Sequence, residues 1–300
     1  MSADVHGILL LDKPYGLTSA AAVARMKRLF AARKVGHMGS LDPLATGLLA
    51  ICFGEATKFG AHLLDADKSY RVDVRLGERT PSADLETAVS ERTPVPAADA
   101  TQIGAALAAF PRRYLQVPPM HSAIKQGGKP LYSYARAGIT RQRQAREVLI
   151  HDLRLLHWET PALGFEVSVS KGTYIRVLAE DIAASLGTLG HLTALRRLRV
   201  APFEREPMST LADLEALDHA GRIGRLLPTD AALNDVPRLD LSLPQTQELL
   251  RGRSMPVAAR EPSRVRLYGP DSRFLGMGEV QADGILAPRR LIAVPDSNRA

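Results

Sequence analysis

From Tyr70 to Leu76 apolar and charged residues alternate without a break: Tyr70, Val72, Val74 and Leu76 on one side, Arg71, Asp73 and Arg75 on the other. Successive side chains of a strand point to opposite faces, so this pattern specifies a strand with one buried and one wet face. FEVSVS at 165–170 repeats it. GILLLDK at 7–13 reads as a buried strand, LLAICFG at 48–54 is an apolar run, and HLTALRRLRVAPF at 191–203 reads as an arginine-rich strand. Helical signals lie between these segments. TSAAAVARMKRLF at 18–30 can be capped by Thr18 or Ser19 and places Val23, Met26 and Phe30 on one face. GEATKFGAHLL reads as a short helix, and QIGAALAAF as another. In KGTYIRVLAEDIAASLG, Thr173 is the expected N-cap, Ile175, Leu178, Ile182 and Leu186 form a stripe, and Gly187 ends the helix. Interleaved strands and helices of this kind predict an α+β fold, a mixed sheet with flanking helices.

At ~100–200 residues per domain, 300 residues make one large domain or two unequal ones. Prolines cluster in LNDVPRLDLSLP at 233–244, which sets the expected boundary: a domain over 1–236 and a smaller one over 237–300. The latter contains short apolar strands broken by GPDS and ADG, and reads as a small all-β module. Residues 80–100, rich in Thr, Ser, Pro, Ala and acids, read as a surface connection. No run reaches the ~18 apolar residues of a membrane span, and the first residues do not resemble a secretory signal, so the cytoplasm is the expected compartment. The single cysteine, Cys52, excludes an internal disulfide and cysteine-based zinc sites; in its apolar run it reads as a small core residue rather than a nucleophile. Phosphate-loop, dinucleotide, metalloprotease and nucleophile-elbow patterns are missing from the sequence, and nothing in it asks for a metal or cofactor.

The formal net charge is +7. Its distribution is more informative than its size. Between Asp99 and Glu147 there is no acidic residue, yet the stretch holds Arg112, Arg113, Lys125, Lys129, Arg136, Arg141, Arg143 and Arg146. That is a phosphate-facing patch or a disordered basic arm. Its Pro-Pro and Gly-Gly turns and sparse core pattern predict a segment, 111–146, that projects from the body.

The loop GHMGSLDPLATG at 36–47 is the strongest candidate site. Gly36, Gly39 and Gly47 allow tight backbone and close ligand approach, and Pro43 restrains Asp42. On spacing alone, Asp-Pro after glycine also serves as a plain turn, and His37 as a solvated loop histidine.

With DKPYGLTS at 12–19, KSYRV at 68–72, SKGTYIRVLAEDIA at 170–183 and LRRLRV at 195–200, this loop makes the chain resemble the bacterial tRNA pseudouridine-55 synthase (TruB) family. The match spans nearly the whole chain in order, and FLGMGEV through APRRL resembles the small PUA RNA-binding domain that ends those enzymes. The resemblance implies a stand-alone isomerase that converts a T-loop uridine of tRNA to pseudouridine, as a monomer, with no guide RNA, cofactor or metal. It implies that Asp42 is the nucleophile, since a carboxylate can attack an electrophilic carbon and leave again. Arg176 would favour its ionised form, and Tyr70 would stack on the uracil and take part in proton handling. Tyr174 and Leu195 would line the nucleotide pocket, His37 would fill the space the nucleotide vacates, and Lys13 and Pro14 would support the catalytic loop. The basic segment would close on the T-arm, its cations on phosphates and Tyr132 and Tyr134 against sugar or base. Met38, Ser40 and the run SAAAVAR depart from the usual pattern without removing a catalytic group. Two other readings remain: an RNA-binding or RNA-folding protein without catalysis, and a protein using the basic patch on an anionic membrane surface. The second requires an amphipathic basic helix, which the Pro/Gly-broken segment does not offer.

Overall fold

The structure is a computed structural model that describes residues 4–258 and 261–293. The expected domains reach to residues 1 and 300, so their ends at 1–3 and 294–300 lie outside the described residues, as do 259–260.

An eight-stranded mixed sheet organises the larger part. Its strands run in the order Gly7–Lys13, Thr46–Phe53, Gly190–Val200, Lys68–Leu76, Ala162–Val169, Arg146–Glu159 and Arg113–Gln116, with Val35–Met38 added alongside Thr46–Phe53. Neighbours are antiparallel except Gly190–Val200 against Thr46–Phe53, which pair in parallel through Arg196–Thr46 and Arg197–Gly47. This one parallel pairing sets the start of Thr46–Phe53, just after the Asp42 loop, beside the arginines of Gly190–Val200.

The sequence patterns follow where the layers lie. One core holds Leu9, Leu49, Ile51, Val72, Val74 and Phe165 against residues of the helices Ser19–Leu29, Ala100–Ala109 and Ile175–Ser185. A second core on the other face joins Ile8, Leu10, Leu48, Ala50 and Cys52 to Leu63, Phe203 and Ala232. Strands covered on both faces need apolar residues throughout, which is why GILLLDK and LLAICF are continuous apolar runs. Lys68–Leu76 instead keeps Arg71 and Arg75 exposed.

A five-stranded sheet follows, ordered Arg238–Asp240, Ser263–Tyr268, Phe274–Val280, Ile285–Leu291, Met255–Pro256. The expectation of an all-β module is corrected: Leu243–Leu250 is a helix, opened by a capping box between Ser242 and Gln245. It begins on the last two residues of the proline-rich stretch that set the expected boundary. The two parts share an apolar joint of Phe59, Leu233, Tyr268, Phe274 and Met277, and Lys58 Nζ donates to the Leu291 carbonyl at 3.0 Å.

Four further local expectations change. The first three residues of the glycine-rich loop, 36–38, belong to the strand Val35–Met38, because Thr46–Phe53 offers it an edge. GEATKFGAHLL divides into a 3₁₀ turn, Gly54–Lys58, and a short helix, Ala61–Asp65. The helix Ile175–Ser185 has Tyr174 as its N-cap, since the Thr173 hydroxyl is bonded to the Ser170 carbonyl at 2.9 Å. The basic segment does not simply project. Arg113–Gln116 is an edge strand of the main sheet, Leu131 at the start of the helix Leu131–Arg136 and Ser122 are buried, and the exposed stretches are 125–129, in the hairpin Lys125–Gln126/Lys129–Pro130, and 136–142.

Candidate active site

Asp42 follows the strand Val35–Met38 and precedes Thr46–Phe53. Its backbone is shaped by glycines on either side. Gly39 has φ +88° and Gly47 φ +92°, and a Cβ on Gly47 would come within 2.2 Å of the Arg197 carbonyl. Only glycine fits such a left-handed position at this approach. Gly36 lies in the strand and has no such requirement.

The Arg176 Nε lies 3.1 Å from Asp42 Oδ2. A lone charge on a helix normally sits at the surface, yet Arg176 is 5% exposed. Its position on the inward stripe with Ile175, Leu178 and Ile182 puts it there. Its other nitrogens donate to the carbonyls of Ser82 at 3.0 Å and His121 at 2.6 Å. The guanidinium therefore presents a fixed Nε edge to Asp42. Burial raises the Asp42 carboxyl pKa above its usual 3.8; Arg176 pulls it back most strongly, Asp84 and Glu86 push it up, and Lys13 draws it down.

Asp84 is a site group that the sequence reading passed over. It is 2% exposed, with Oδ2 3.9 Å from Arg176 Nε. Over 85–100 no residue of the connection read as surface is buried, but its start is a built turn: Thr80, Ser82, Ala83 and Asp84 are all buried. The Thr80 hydroxyl donates to the Asp84 carbonyl at 2.6 Å, and the Leu192 N–H to the Ala83 carbonyl at 3.0 Å. A polar composition hid this, because here the polar groups bond one another rather than water.

Tyr70 is buried on the central strand, in register with Val167 on one side and Arg197 on the other. Leu195 is buried two residues from Arg197 on the same strand. Tyr174 has its N–H bonded to Gln116 Oε1 at 2.7 Å and its carbonyl to Gln116 Nε2 at 3.2 Å, so the edge strand fixes the entry to the Arg176 helix. His37 lies on Val35–Met38 with a buried, unbonded Nδ1. Burial, and then the charge of Arg197, hold its imidazole pKa below the usual value. Lys13 is fully buried, with Nζ on the carbonyls of Pro14 at 2.9 Å and Leu17 at 2.7 Å; burial lowers its pKa to about 8. Pro14 is exposed, in the same turn.

The basic residues separate into two groups. Arg143 is engaged structurally, on the Pro118 carbonyl at 3.2 Å. Arg113 pairs with Glu147 at 3.2 Å and Arg136 with Glu86 at 3.5 Å, while Arg141 lies over the Tyr134 ring at 4.6 Å. Arg112, Lys125, Lys129 and Arg146 are exposed. Arg113 and Arg146 also line a groove with Lys171, three residues before Tyr174. Among the described residues no group of three or more His, Cys, Asp or Glu could gather a metal ion, and no helix is long and apolar enough to cross a membrane.

Comparison with known proteins places this arrangement. Residues 27–175 match the TruB family pseudouridylate synthase N-terminal domain, residues 176–234 the tRNA pseudouridylate synthase B C-terminal domain, and residues 237–292 the C-terminal domain of pseudouridine synthase II TruB. The chain is 50% identical to the tRNA pseudouridine synthase B of Chromohalobacter salexigens, over 96% of this chain and 94% of that one. It is also 50% identical to the tRNA pseudouridine synthase B of Aromatoleum aromaticum, over 96% and 93%.

The chain belongs to the TruB pseudouridylate synthase family.

It is accordingly an isomerase with the TruB fold. A solved Cbf5-Nop10-Gar1 complex contains a chain that superposes with a TM-score of 0.71 at 23% identity, covering 95% of this chain and 84% of that chain. A likeness at that identity is one of fold. The structure sets Arg176 and Lys13 about Asp42 and puts Tyr70 in register with Arg197, two residues from Leu195; it adds Asp84 beside Arg176, and Ser19 and Arg197 on the Asp42 loop, residues to which the sequence reading gave no part in the site. For Arg197 a signal was available: it stands two residues from Leu195, so strand alternation puts both on one face. For Asp84 there was none.

Proposed function

We propose that this enzyme isomerises the uridine at position 55 in the T-loop of tRNA to pseudouridine, with Asp42 as nucleophile, acting alone without a guide RNA. The observation that carries this reading is the ion pair of Arg176 and Asp42 at 3.1 Å, with the guanidinium buried and the carboxylate half open to solvent. The arginine stabilises the ionised carboxylate, and the open side leaves it accessible to a nucleotide. The tRNA substrate rests on the names of relatives at 50% identity.

Reaction requires the nucleotide to leave the stacked loop, which costs about a few kcal/mol. Tyr70 stacking on the extracted uracil, in a pocket walled by Leu195 and Tyr174, offsets that cost. His37 fills the vacated space; in the free protein burial and then the charge of Arg197 favour its neutral imidazole. Lys13 and Pro14 brace the turn beside the catalytic loop. The glycosidic bond is broken, the base turns, and it is rejoined through carbon. The N1–C1′ bond breaks and a C5–C1′ bond forms, after which C5 gives up its proton and N1 takes one up, so no atom is gained or lost overall. Beside the nucleophile, its charge partner and a stacking surface the site must move that proton, a part that falls to Tyr70.

The exposed cations Arg112, Lys125, Lys129 and Arg146, with Arg113, Arg136 and Arg141 after exchange of their weak surface partners, take the phosphates of the T-arm. Arg143 stays with its structural partner. Residues 1–236 form the catalytic domain and 237–300 a PUA-like RNA-binding module. The enzyme works as a monomer in the cytoplasm and draws on no cofactor, metal or membrane. Incubating purified protein with unmodified tRNA transcript and mapping pseudouridine tests the reading. Modification at the T-loop uridine is the expected result, and modification only at other sites, or none, overturns it. Loss of isomerisation in Asp42→Asn with tRNA binding retained leaves room for an RNA-folding role beside catalysis.

A further inference from the structure

The catalytic loop differs from an ordinary surface loop in how its backbone is satisfied. Loop carbonyls normally face water. Here five consecutive carbonyls, Gly39 to Pro43, all accept hydrogen bonds from protein groups. Arg197 Nη2 donates to Gly39 O at 2.9 Å and Nη1 to Ser40 O at 3.4 Å. The Ser19 hydroxyl donates to Leu41 O at 2.9 Å while accepting the Leu41 N–H at 2.8 Å. Ala45 N–H donates to Asp42 O at 3.0 Å, and Gly16 N–H to Pro43 O at 2.8 Å. Only the Ala45 bond is a local turn. The others come from residues far away in sequence.

Two side chains do most of this, and both are buried. Ser19 opens the helix Ser19–Leu29, yet its hydroxyl is not the cap; Thr18 is, bonded to the Ala21 N–H. That leaves Ser19 free to grip both polar groups of Leu41, the residue before Asp42. Arg197 is 1% exposed, and its Nε also donates to Leu48 O at 2.7 Å. Its contacts are carbonyls, with no carboxylate paired to it among the described residues. Burying a cation without a counter-ion is costly, and an apolar residue of like volume normally serves a core better. A fork with donors on three carbonyls in different peptides does what no apolar residue could: it fixes the backbone on both sides of the Gly39–Gly47 loop at once.

We propose that Ser19 and Arg197 are positioning residues, a two-sided clamp that holds the Gly39–Pro43 backbone so that the Asp42 carboxylate meets the reacting nucleotide at the working distance. Neither touches the substrate. The clamp acts on where Asp42 is, and leaves its charge to Arg176. Arg197 does not figure among the groups that shift Asp42, whereas Arg176, Asp84, Glu86 and Lys13 do. This inference rests on Asp42 being the catalytic carboxylate.

The test is single-turnover pseudouridine formation by the full-length enzyme, on whichever uridine of a tRNA transcript the wild type modifies, so that an error about the target nucleotide does not count against the clamp. Ser19→Ala and Arg197→Lys are compared with wild type, with circular dichroism and RNA affinity measured on each. A misplacement of about 1 Å costs on the order of 100-fold in rate. The clamp therefore predicts a fall of about 10- to 100-fold in the chemical rate for each variant, with RNA affinity within about twofold and the acid limb of the pH–rate profile unmoved. The double variant loses less than the product of the two single losses, because both act through one loop. Should Arg197→Lys fail to fold, Ser19→Ala carries the test, since it removes one oxygen. Three results overturn the proposal: rates within twofold of wild type in folded variants, weakened RNA binding at an unchanged chemical rate, or an acid limb that shifts. Loss of all activity in Asp42→Asn together with normal rates in both clamp variants refutes the clamp and spares the nucleophile. Full activity in Asp42→Asn refutes the nucleophile itself.

Discussion

Arginine serves opposite purposes in two regions of this molecule. On the inner wall of the site, Arg176 and Arg197 are buried, and their donors are committed to carbonyls and one carboxylate. In the segment from 112 to 146 the cations are mostly exposed, in weak surface pairs or free to meet a ligand. The same side chain is a structural strut in the first place and a mobile counter-ion in the second. Burial makes the difference: an exposed pair is worth about 0–1 kcal/mol, while breaking a buried one costs several. Mutations in the wall should therefore alter the chemical step, and mutations in the segment should alter binding and its response to salt.

The contrast can be broken most severely at the wall. Asp42→Asn keeps the shape and removes the proposed nucleophile; the expected loss is on the order of 10³-fold or more in rate, with RNA affinity nearly intact, read in single-turnover and filter-binding assays. Arg176→Met is expected to lose about 100-fold and to move the acid limb of the pH–rate profile. The sign follows from the charges. As the proposed nucleophile Asp42 must be ionised; its pKa is raised by burial, and Arg176 opposes that rise. In the wild type the rate is thus lost, as pH falls, above the ordinary carboxylate range, and without Arg176 the limb moves to still higher pH. Asp84→Asn has the opposite sign: removing a neighbouring negative charge lowers the Asp42 pKa and moves the limb to lower pH. A limb that stays put in both variants would show that another group titrates. The smallest effects belong to the exposed segment. Lys125→Ala or Lys129→Ala should weaken RNA binding a few-fold with the chemical rate unchanged, and each should reduce the salt dependence of binding by about 0.7–0.9 in log–log slope if it holds a phosphate. A drop in the chemical rate with unchanged salt dependence would place those lysines with the wall instead.

Much of the architecture was legible in the chain. Period-two alternation marked Lys68–Leu76 and Ala162–Val169, continuous apolar runs marked the strands covered on both faces, and a stripe with a terminal glycine marked Ile175–Ser185. These signals are local, and burial on one or two faces writes them directly into residue order. What was misread was polar. The Thr80–Asp84 turn looked like surface, and the basic segment like a projection, although it supplies the edge strand Arg113–Gln116 and the His121 carbonyl that holds Arg176. Hydrophobic pattern cannot distinguish a polar group bonded to protein from one bonded to water.

Residue order alone settled the alternation of the sheet, the uneven charge, the glycine positions that let the Asp42 loop turn, and the motifs that mark the family, because each depends on neighbours a few positions apart. The chain fold settled which of its many arginines are struts and which are open, that Asp84 stands beside Arg176 across 92 positions, and that Ser19 and Arg197 meet on one loop. Those facts depend on long-range pairing and on how completely water is shut out, and neither is written in any short stretch of sequence.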